Sequence, residues 1–164
     1  MAFFGNHQYD FLGIGDITID AFIKIKEARV FRDHNGEKPQ ICLNFADKVP
    51  YEGVYVVPAV GNSPNAAVAA SRLGFRSALF TNIGDDMNGR DCLNVLKAER
   101  VGTEYIVKNK DKKTNYHYVL WFENDRTILV KHEDYDYKVT DIKCPRWVYL
   151  SSMGENSLPF HYEL

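Results

Sequence analysis

The chain has 164 residues, of which 45% are hydrophobic and 13% aromatic, and its 20 basic and 22 acidic residues leave a formal net charge of −2. This length and composition indicate one globular domain with a substantial core and exclude a disordered chain. The nearly balanced charge offers no basic face for nucleic acid, so no nucleic-acid partner is expected.

The cysteines and the first residues indicate the compartment. Cys42, Cys92 and Cys144 lie far apart without Cys-x-x-Cys spacing, which argues against a disulfide framework and against a zinc site. The N-terminus lacks the pattern of a signal peptide, and no apolar run reaches the roughly 20 residues of a membrane helix. We therefore expect a cytoplasmic protein without a membrane partner.

The first 60 residues carry strand patterns. An apolar run that ends at Gly15-Asp16 is typical of a buried strand in a parallel sheet. The alternation that follows it indicates a strand with one covered face, and Asn35-Gly36 is a hairpin signal. The predicted strands are 9–14, 17–25, 41–45 and 54–57. The last three are expected to form a small antiparallel sheet inserted into a larger α/β unit.

The stretch from Val60 to Gly84 predicts a capped helix and a strand. Ser63 is expected to accept hydrogen bonds from the first helical turn, and Pro64 to occupy the first helical position. Gly74 supplies the left-handed residue that ends the helix. Residues 76–83 then form an apolar strand.

The sequence after Gly84 also predicts helices and strands in alternation. Asp85 or Asp86 caps a helix that begins near Met87, and Gly102 is expected to end it. Further strands are predicted at 103–107, 114–122, 127–132 and 146–151. Such alternation favours a mostly parallel sheet with helices on its faces. No helix is expected after the last strand, so its face stays uncovered, as in a fragment or in a chain completed by a partner.

Three motifs, at residues 60–84, 13–20 (GIGDITID) and 84–89 (GDDMNG), together resemble the ribokinase/PfkB family of sugar and nucleoside kinases. The family's first signature has a small-residue turn followed by Asn-x-Ala and two spaced glycines; the matching residues are Gly61, Asn65, Ala67, Gly74 and Gly84. Val60 and Ser63 depart slightly from the family's turn. GIGDITID resembles the family's first strand with its following Asp, and GDDMNG resembles the start of a later helix.

The resemblance implies a ribokinase-like fold, a mostly parallel sheet flanked by helices with a small β-sheet lid. It covers the chain from Tyr9 onward, so residues 1–164 are expected to be the N-terminal part of one domain, with 17–58 and 114–132 as the lid. Family members use ATP and Mg²⁺. Their second signature, Asp-Thr-x-Gly-Ala-Gly-Asp, supplies the catalytic base and does not occur in this sequence. The catalytic residues are therefore expected in a C-terminal half that is missing, and the chain alone is expected to be inactive.

The resemblance also implies the substrate-binding residues. Asp20 would accept hydrogen bonds from two substrate hydroxyls, for which an ionised carboxylate is suited. Gly61, Asn62 and Asn65 would bring backbone and amide groups to the sugar, and Thr18 is a weaker candidate on the face of Asp20. The alternatives are a solvated aspartate and a surface threonine.

Two other functions compete with the kinase. One is a non-catalytic binding module that dimerises through the lid and recruits a partner at the exposed sheet edge. The other, a dinucleotide-binding unit, is disfavoured because Gly13-x-Gly15 lacks a third glycine and leads into a strand. Nucleosides, ribose, fructose and ketogluconate all remain possible substrates of a kinase.

Overall fold

The computed structural model describes residues 8–32, 38–139 and 141–164, which form two compact units. The parallel unit contains the described residues of 1–19, 58–116 and 131–164, and the antiparallel unit contains those of 20–57 and 117–130.

The two units contain ten described strands and three described helices. In chain order the strands are β1 (Phe11–Ile14), β2 (Thr18–Ile25), β3 (Arg29–Phe31), β4 (Gln40–Cys42), β5 (Tyr51–Val60), β6 (Ser77–Gly84), β7 (Ile106–Asn109), β8 (Asn115–Phe122), β9 (Asp125–Leu129) and β10 (Trp147–Leu150). The helices are α1 (Asn62–Arg72), α2 (Met87–Ala98) and α3 (Leu158–Glu163), the last preceded by a 3₁₀ turn at Glu155–Ser157. None of the helices described is long and apolar enough to cross a membrane.

A four-stranded parallel sheet organises the parallel unit, in the order β10-β1-β6-β7. Every residue of β6 is buried, and its side chains alternate between two core clusters. Leu79 packs in the cluster that includes residues of α1 and α2, whereas Phe80 stacks on Phe160 of α3 with ring centroids 5.2 Å apart. The predicted parallel sheet with helices on its faces is therefore confirmed.

Gly74 ends α1 as predicted. Its φ of 93° lies in the left-handed region, and its N–H donates to Ser71 O while Phe75 N–H donates to Ala70 O. These two bonds form a Schellman motif, which satisfies carbonyls of the last helical turn.

Gly102 does not end α2, so that prediction is wrong. The helix stops at Ala98, and Arg100 takes the left-handed conformation with φ 59° while Val101 N–H donates to Leu96 O. Gly102 instead bridges Ala78 at the start of β6, and the predicted strand 103–107 is displaced to β7. The two hydrogen bonds of this Schellman motif thus surround Arg100, a left-handed position at which glycine is ordinarily favoured.

The segment after β10 contains a helix that the sequence did not predict, but the face of the strand stays uncovered as expected. A short helix, α3, does follow the strand, and its Phe160 is buried in the core. It does not cover β10 itself, because the side chains of all four β10 residues remain exposed. β10 is thus an outer strand whose apolar residues face solvent.

The antiparallel unit holds most of a second sheet, in the order β5-β2-β8-β9. β8 and β9 form the second predicted hairpin, with Phe122 opposite Asp125 and a tight turn at Glu123-Asn124. β3 and β4 pair antiparallel, but the predicted turn at Asn35-Gly36 lies outside the described residues. β4 ends at Cys42, earlier than the predicted strand 41–45, and it pairs with β3 in a separate two-stranded sheet instead of joining β2 and β5 as expected.

Candidate functional site

The carboxyl end of the parallel sheet gathers polar residues from three connections. Asp16 follows β1, Ser151 and Ser152 follow β10, and the first turn of α1 follows β5. In open α/β sheets, ligands bind outside the carboxyl ends of the strands. A site within the parallel unit is therefore expected at this edge.

Gly61 forms the turn that leads into α1. Its φ is 126°, and a Cβ added there would lie 2.8 Å from Asp16 O. A side chain would thus be excluded both by the backbone conformation and by the close approach of the β1–β2 connection. The glycine at this position is required by the packing of two loops.

Ser63 and Pro64 do not play the roles predicted for them. α1 already begins at Asn62, its N-cap is Gly61 without a side-chain cap bond, and Pro64 is the third helical residue. The Ser63 hydroxyl is fully buried and donates to Ile14 O at 2.7 Å, while also lying 2.6 Å from Ser151 Oγ. Ser63 therefore links α1 to β1 and to the end of β10 rather than capping the helix.

Asn62 and Asn65 are both exposed on the first turn of α1. Asn62 Nδ2 donates to Ser152 Oγ at 3.1 Å, which leaves its carbonyl oxygen as an acceptor. The Asn65 side chain makes no hydrogen bond to other residues in the described part of the chain. The turn therefore presents two amide groups with unused hydrogen-bonding capacity.

Asp20 lies in the antiparallel unit, whereas Gly61, Asn62 and Asn65 lie in the parallel unit. Asp20 Oδ1 is 3.4 Å from His117 Nδ1. Burial raises the pKa of the Asp20 carboxyl, and the opposing effects of His117 and Arg126 do not cancel this rise. The shared role of Asp20 and the α1 residues in binding one ligand stays a prediction.

Thr18 belongs to the parallel unit and is buried. Its hydroxyl donates to the carbonyl oxygen of the next residue, Ile19, at 3.2 Å. This local bond makes Thr18 a weaker ligand candidate than the two exposed asparagines.

Asp16 is the residue of this edge that sequence reasoning missed. Its carboxylate accepts from the Tyr137 hydroxyl at 2.9 and 3.1 Å and lies 3.2 Å from His132 Nδ1. Burial raises the pKa of Asp16, although the Tyr137 hydrogen bond and His132 act against the rise. Burial also raises the pKa of Tyr137. A polar residue directly after a buried parallel strand was the available signal, but its partners lie on a segment remote in sequence.

Comparison with known proteins decides the family. The model of the pfkB family of carbohydrate kinases matches residues 29–163, which is most of the chain. The chain belongs to the pfkB family. It is 36% identical over 70 residues to a fructokinase of Vibrio alginolyticus, covering 42% of this chain and 23% of that protein.

Solved structures of this family share the fold. The fructokinase of Halothermothrix orenii is 27% identical with a TM-score of 0.53, covering 75% of this chain and 37% of that one. The ribokinase of Arabidopsis thaliana, solved with ribose and ATP, is 13% identical with a TM-score of 0.60, covering 75% of this chain and 36% of that one. The expected ribokinase-like fold is thus confirmed, and the matched part spans between 23% and 37% of the length of these relatives.

Mg²⁺, which the family resemblance implies, has no matching ligand set in the described residues. Among them no group of three or more His, Cys, Asp or Glu side chains is placed to hold a metal ion. The described residues therefore do not fit a resident metal.

Proposed function

We propose that this chain is the N-terminal, sugar-binding portion of a pfkB-type kinase that transfers the γ-phosphoryl group of ATP to a hydroxymethyl group of a sugar or nucleoside. The observation that carries the proposal is the first turn of α1, where Gly61 allows close backbone approach and Asn62 and Asn65 expose amide groups. Amides donate and accept hydrogen bonds, as sugar hydroxyls do. Membership of the pfkB family supports this interpretation of the turn.

Each proposed binding residue has chemistry that suits a polyol. Asp20 would accept from two hydroxyl groups, and its half-buried position strengthens such bonds relative to water. Asn62 and Asn65 would bind further hydroxyls, Gly61 would contribute backbone, and Thr18 is the weakest member of the set. Fructose and ribose are the first ligands to test, because the Vibrio relative is a fructokinase and the Arabidopsis neighbour was solved with ribose.

We also propose that residues 17–58 and 114–132 form the lid of the kinase. The antiparallel unit, with residues 20–57 and 117–130, supports this assignment because it is a separate compact unit built on a small sheet. The free thiols of Cys42 and Cys92 support the proposal that the protein works in a reducing, cytoplasmic compartment.

The full-length family enzyme would use ATP with Mg²⁺, and its chemistry would depend on positioning and charge stabilisation. The 164 residues lack the Asp-Thr-x-Gly-Ala-Gly-Asp segment. We therefore propose that this chain alone binds an acceptor sugar but does not catalyse transfer. Sugar-dependent release of ADP by the purified chain, abolished by Asp20→Ala, would refute the proposal of inactivity.

Calorimetry on the purified chain tests acceptor binding directly. Ribose and fructose are titrated into the natural chain, Asp20→Asn, Asn65→Ala and the control Asp47→Asn, whose carboxylate is exposed and accepts from Asn44. Asp20→Asn and Asn65→Ala are expected to weaken binding about tenfold each, the effect of one lost hydrogen bond. Equal binding by all four proteins would rule out the assigned residues, and absence of binding by the natural chain would rule out the proposed function.

A dimerisation module is the second candidate function. β5 is an outer strand of its sheet and exposes five large apolar side chains: Tyr51, Val54, Tyr55, Val56 and Val57. An exposed edge of this kind is a template for pairing with another chain. Under this proposal a second copy pairs along β5, light scattering detects a dimer that does not bind sugars, and Val56→Lys returns it to a monomer.

A further inference from the structure

We propose that Asp16 is a positioning residue that holds Asn62 in place for the acceptor. The inference rests on the proposed function only for the role of Asn62, since the contacts that link the two residues lie entirely within the parallel unit.

The Asp16 carboxylate is engaged in hydrogen bonds and is shielded from solvent. It is 5% exposed, and both of its oxygens accept from the Tyr137 hydroxyl at 2.9 and 3.1 Å. The Tyr137 hydroxyl in turn accepts from Gly154 N–H at 3.1 Å, so its single proton is directed at Asp16. A carboxylate in these surroundings does not touch a ligand and instead fixes the segments around it.

The Asp16 backbone connects this anchor to the loop after β10. Its N–H donates to Ser152 O at 3.1 Å, and Gly154 belongs to the same loop. The Asp16 N–H therefore fixes Ser152 through the Ser152 carbonyl oxygen. Two residues later, the Tyr137 hydroxyl fixes the same loop by accepting from Gly154 N–H. The position of the Ser152 hydroxyl therefore depends on Asp16.

Ser152 transmits that position to α1. Its Oγ accepts from Asn62 Nδ2 at 3.1 Å, which orients the exposed amide and turns its carbonyl oxygen away from the serine. Asp16 O also lies against the Cα side of Gly61, where a Cβ would come within 2.8 Å. Asp16 therefore contacts the turn on one side and orients the first amide of α1 through Ser152 on the other.

Nuclear magnetic resonance of the ¹⁵N-labelled chain measures this positioning without any ligand. The side-chain amide of Asn62 is followed in the natural chain, Asp16→Asn, Tyr137→Phe, Ser152→Ala and Asp136→Asn. Asp136 is the control, because it adjoins Tyr137 in sequence but its carboxylate is exposed and paired with Lys138. We expect the first three variants to shift the Asn62 resonances and to speed their hydrogen exchange about tenfold, a loss equivalent to one hydrogen bond. The control should leave them unchanged.

The outcomes separate the inference from the proposed function. Asn62 resonances that stay unchanged in Asp16→Asn and Tyr137→Phe, while shifting in Ser152→Ala, overturn the positioning role. If Asp16→Asn fails to fold, Tyr137→Phe alone decides, because it removes one hydroxyl and keeps the ring. Sugar titrations then use the same proteins: a natural chain that binds no sugar refutes the proposed function but leaves the resonance test intact. A variant that loosens Asn62 should raise the sugar Kd, whereas uniform faster exchange throughout the chain would indicate a merely structural role and contradict the inference.

Discussion

The Asp86 carboxylate binds Thr114 twice, accepting from its hydroxyl at 2.7 Å and from its backbone N–H at 3.1 Å. The same carboxylate accepts from Gly89 N–H at 2.8 Å and so caps α2. One side chain thus joins the start of α2 to the residue that precedes β8. Burial disfavours its charged form, but the bonds from Thr114 and Gly89 keep the pKa of Asp86 below the ordinary aspartate value.

Asp86→Ala is expected to lower the free energy of unfolding by about 2 to 3 kcal/mol, because it removes a helix cap and leaves Thr114 without its acceptor. Urea denaturation measures the change. Asp85→Ala is the matched control, since Asp85 is exposed and engages Asn109 only through its backbone N–H. Equal losses for the two variants would show that the cap is not specific to Asp86.

Ser63 and Ser151 should behave as a coupled pair. Their hydroxyls lie 2.6 Å apart, so either single alanine substitution leaves a partner unsatisfied and is expected to cost about 1 to 3 kcal/mol. The double variant should cost less than the sum of the two, with a coupling energy of at least about 0.5 kcal/mol. A double-mutant cycle by thermal or urea unfolding gives this number. If the losses of unfolding free energy in the two single variants were strictly additive, Ser63 would be acting only as a cap of α1.

Substitution of either of two signature glycines, Gly74 and Gly84, is expected to destabilise the fold, for a different reason in each case. A Cβ at Gly84 would lie 2.5 Å from Lys112 O and 2.7 Å from Thr114 N, which are backbone atoms that cannot move aside. A Cβ at Gly74 would meet nothing within 4 Å, but φ is 93° there. Gly74→Ala is expected to cost about 1 to 2 kcal/mol of conformational strain. Gly84→Ala should cost about 3 kcal/mol or more from overpacking.

The shift in unfolding midpoint in urea compares these two variants directly. Gly84→Ala should unfold at the lower urea concentration, because strain at Gly74 is local to a helix end whereas Gly84 is buried between two chain segments. The opposite order would mean that the β6–α2 connection has room to relax.

Local sequence patterns predicted the elements whose determinants are close along the chain. The alternation before Ile25, the apolar run of β6, the glycine after α1 and the aspartates before α2 can each be recognised within a few residues. Most predicted strands are therefore present, although their ends are displaced.

Contacts between distant residues were not predictable in this way. Ser63 has the sequence features of an N-cap, and only the fold brings Ser151 to its hydroxyl, 88 positions later. Arg100 takes the left-handed conformation for which Gly102 is better suited, because Gly102 pairs with Ala78. Asp16 could not be recognised for the same reason, since Tyr137 and His132 reach it from a remote segment.

The pH dependence of stability distinguishes the buried Asp16 from the half-buried Asp10. Burial, opposed by Tyr137 and His132, leaves the pKa of Asp16 above the ordinary value of 3.8. Tyr135 also faces Asp16, and the Asp16 charge contributes to raising the pKa of that tyrosine. A raised pKa means that the folded protein binds the proton more tightly than the unfolded chain. The stability contributed by Asp16 is therefore fully present below the unfolded pKa and is lost as pH rises through the folded pKa.

The natural chain and Asp16→Asn are unfolded with urea between about pH 4 and pH 8, and the difference in free energy of unfolding is followed. We expect the natural chain to become more stable relative to Asp16→Asn as pH falls across this range. Asp10→Asn provides a control of opposite sign, because the hydrogen bonds of Arg76 to Asp10 lower the pKa of that carboxyl. Its contribution is present above the unfolded pKa and is lost as pH falls through the folded pKa, so Asp10→Asn is followed down to about pH 2. A difference for Asp16→Asn that grows with pH, in parallel with that for Asp10→Asn, would mean that hydrogen bonding at Asp16 outweighs its burial.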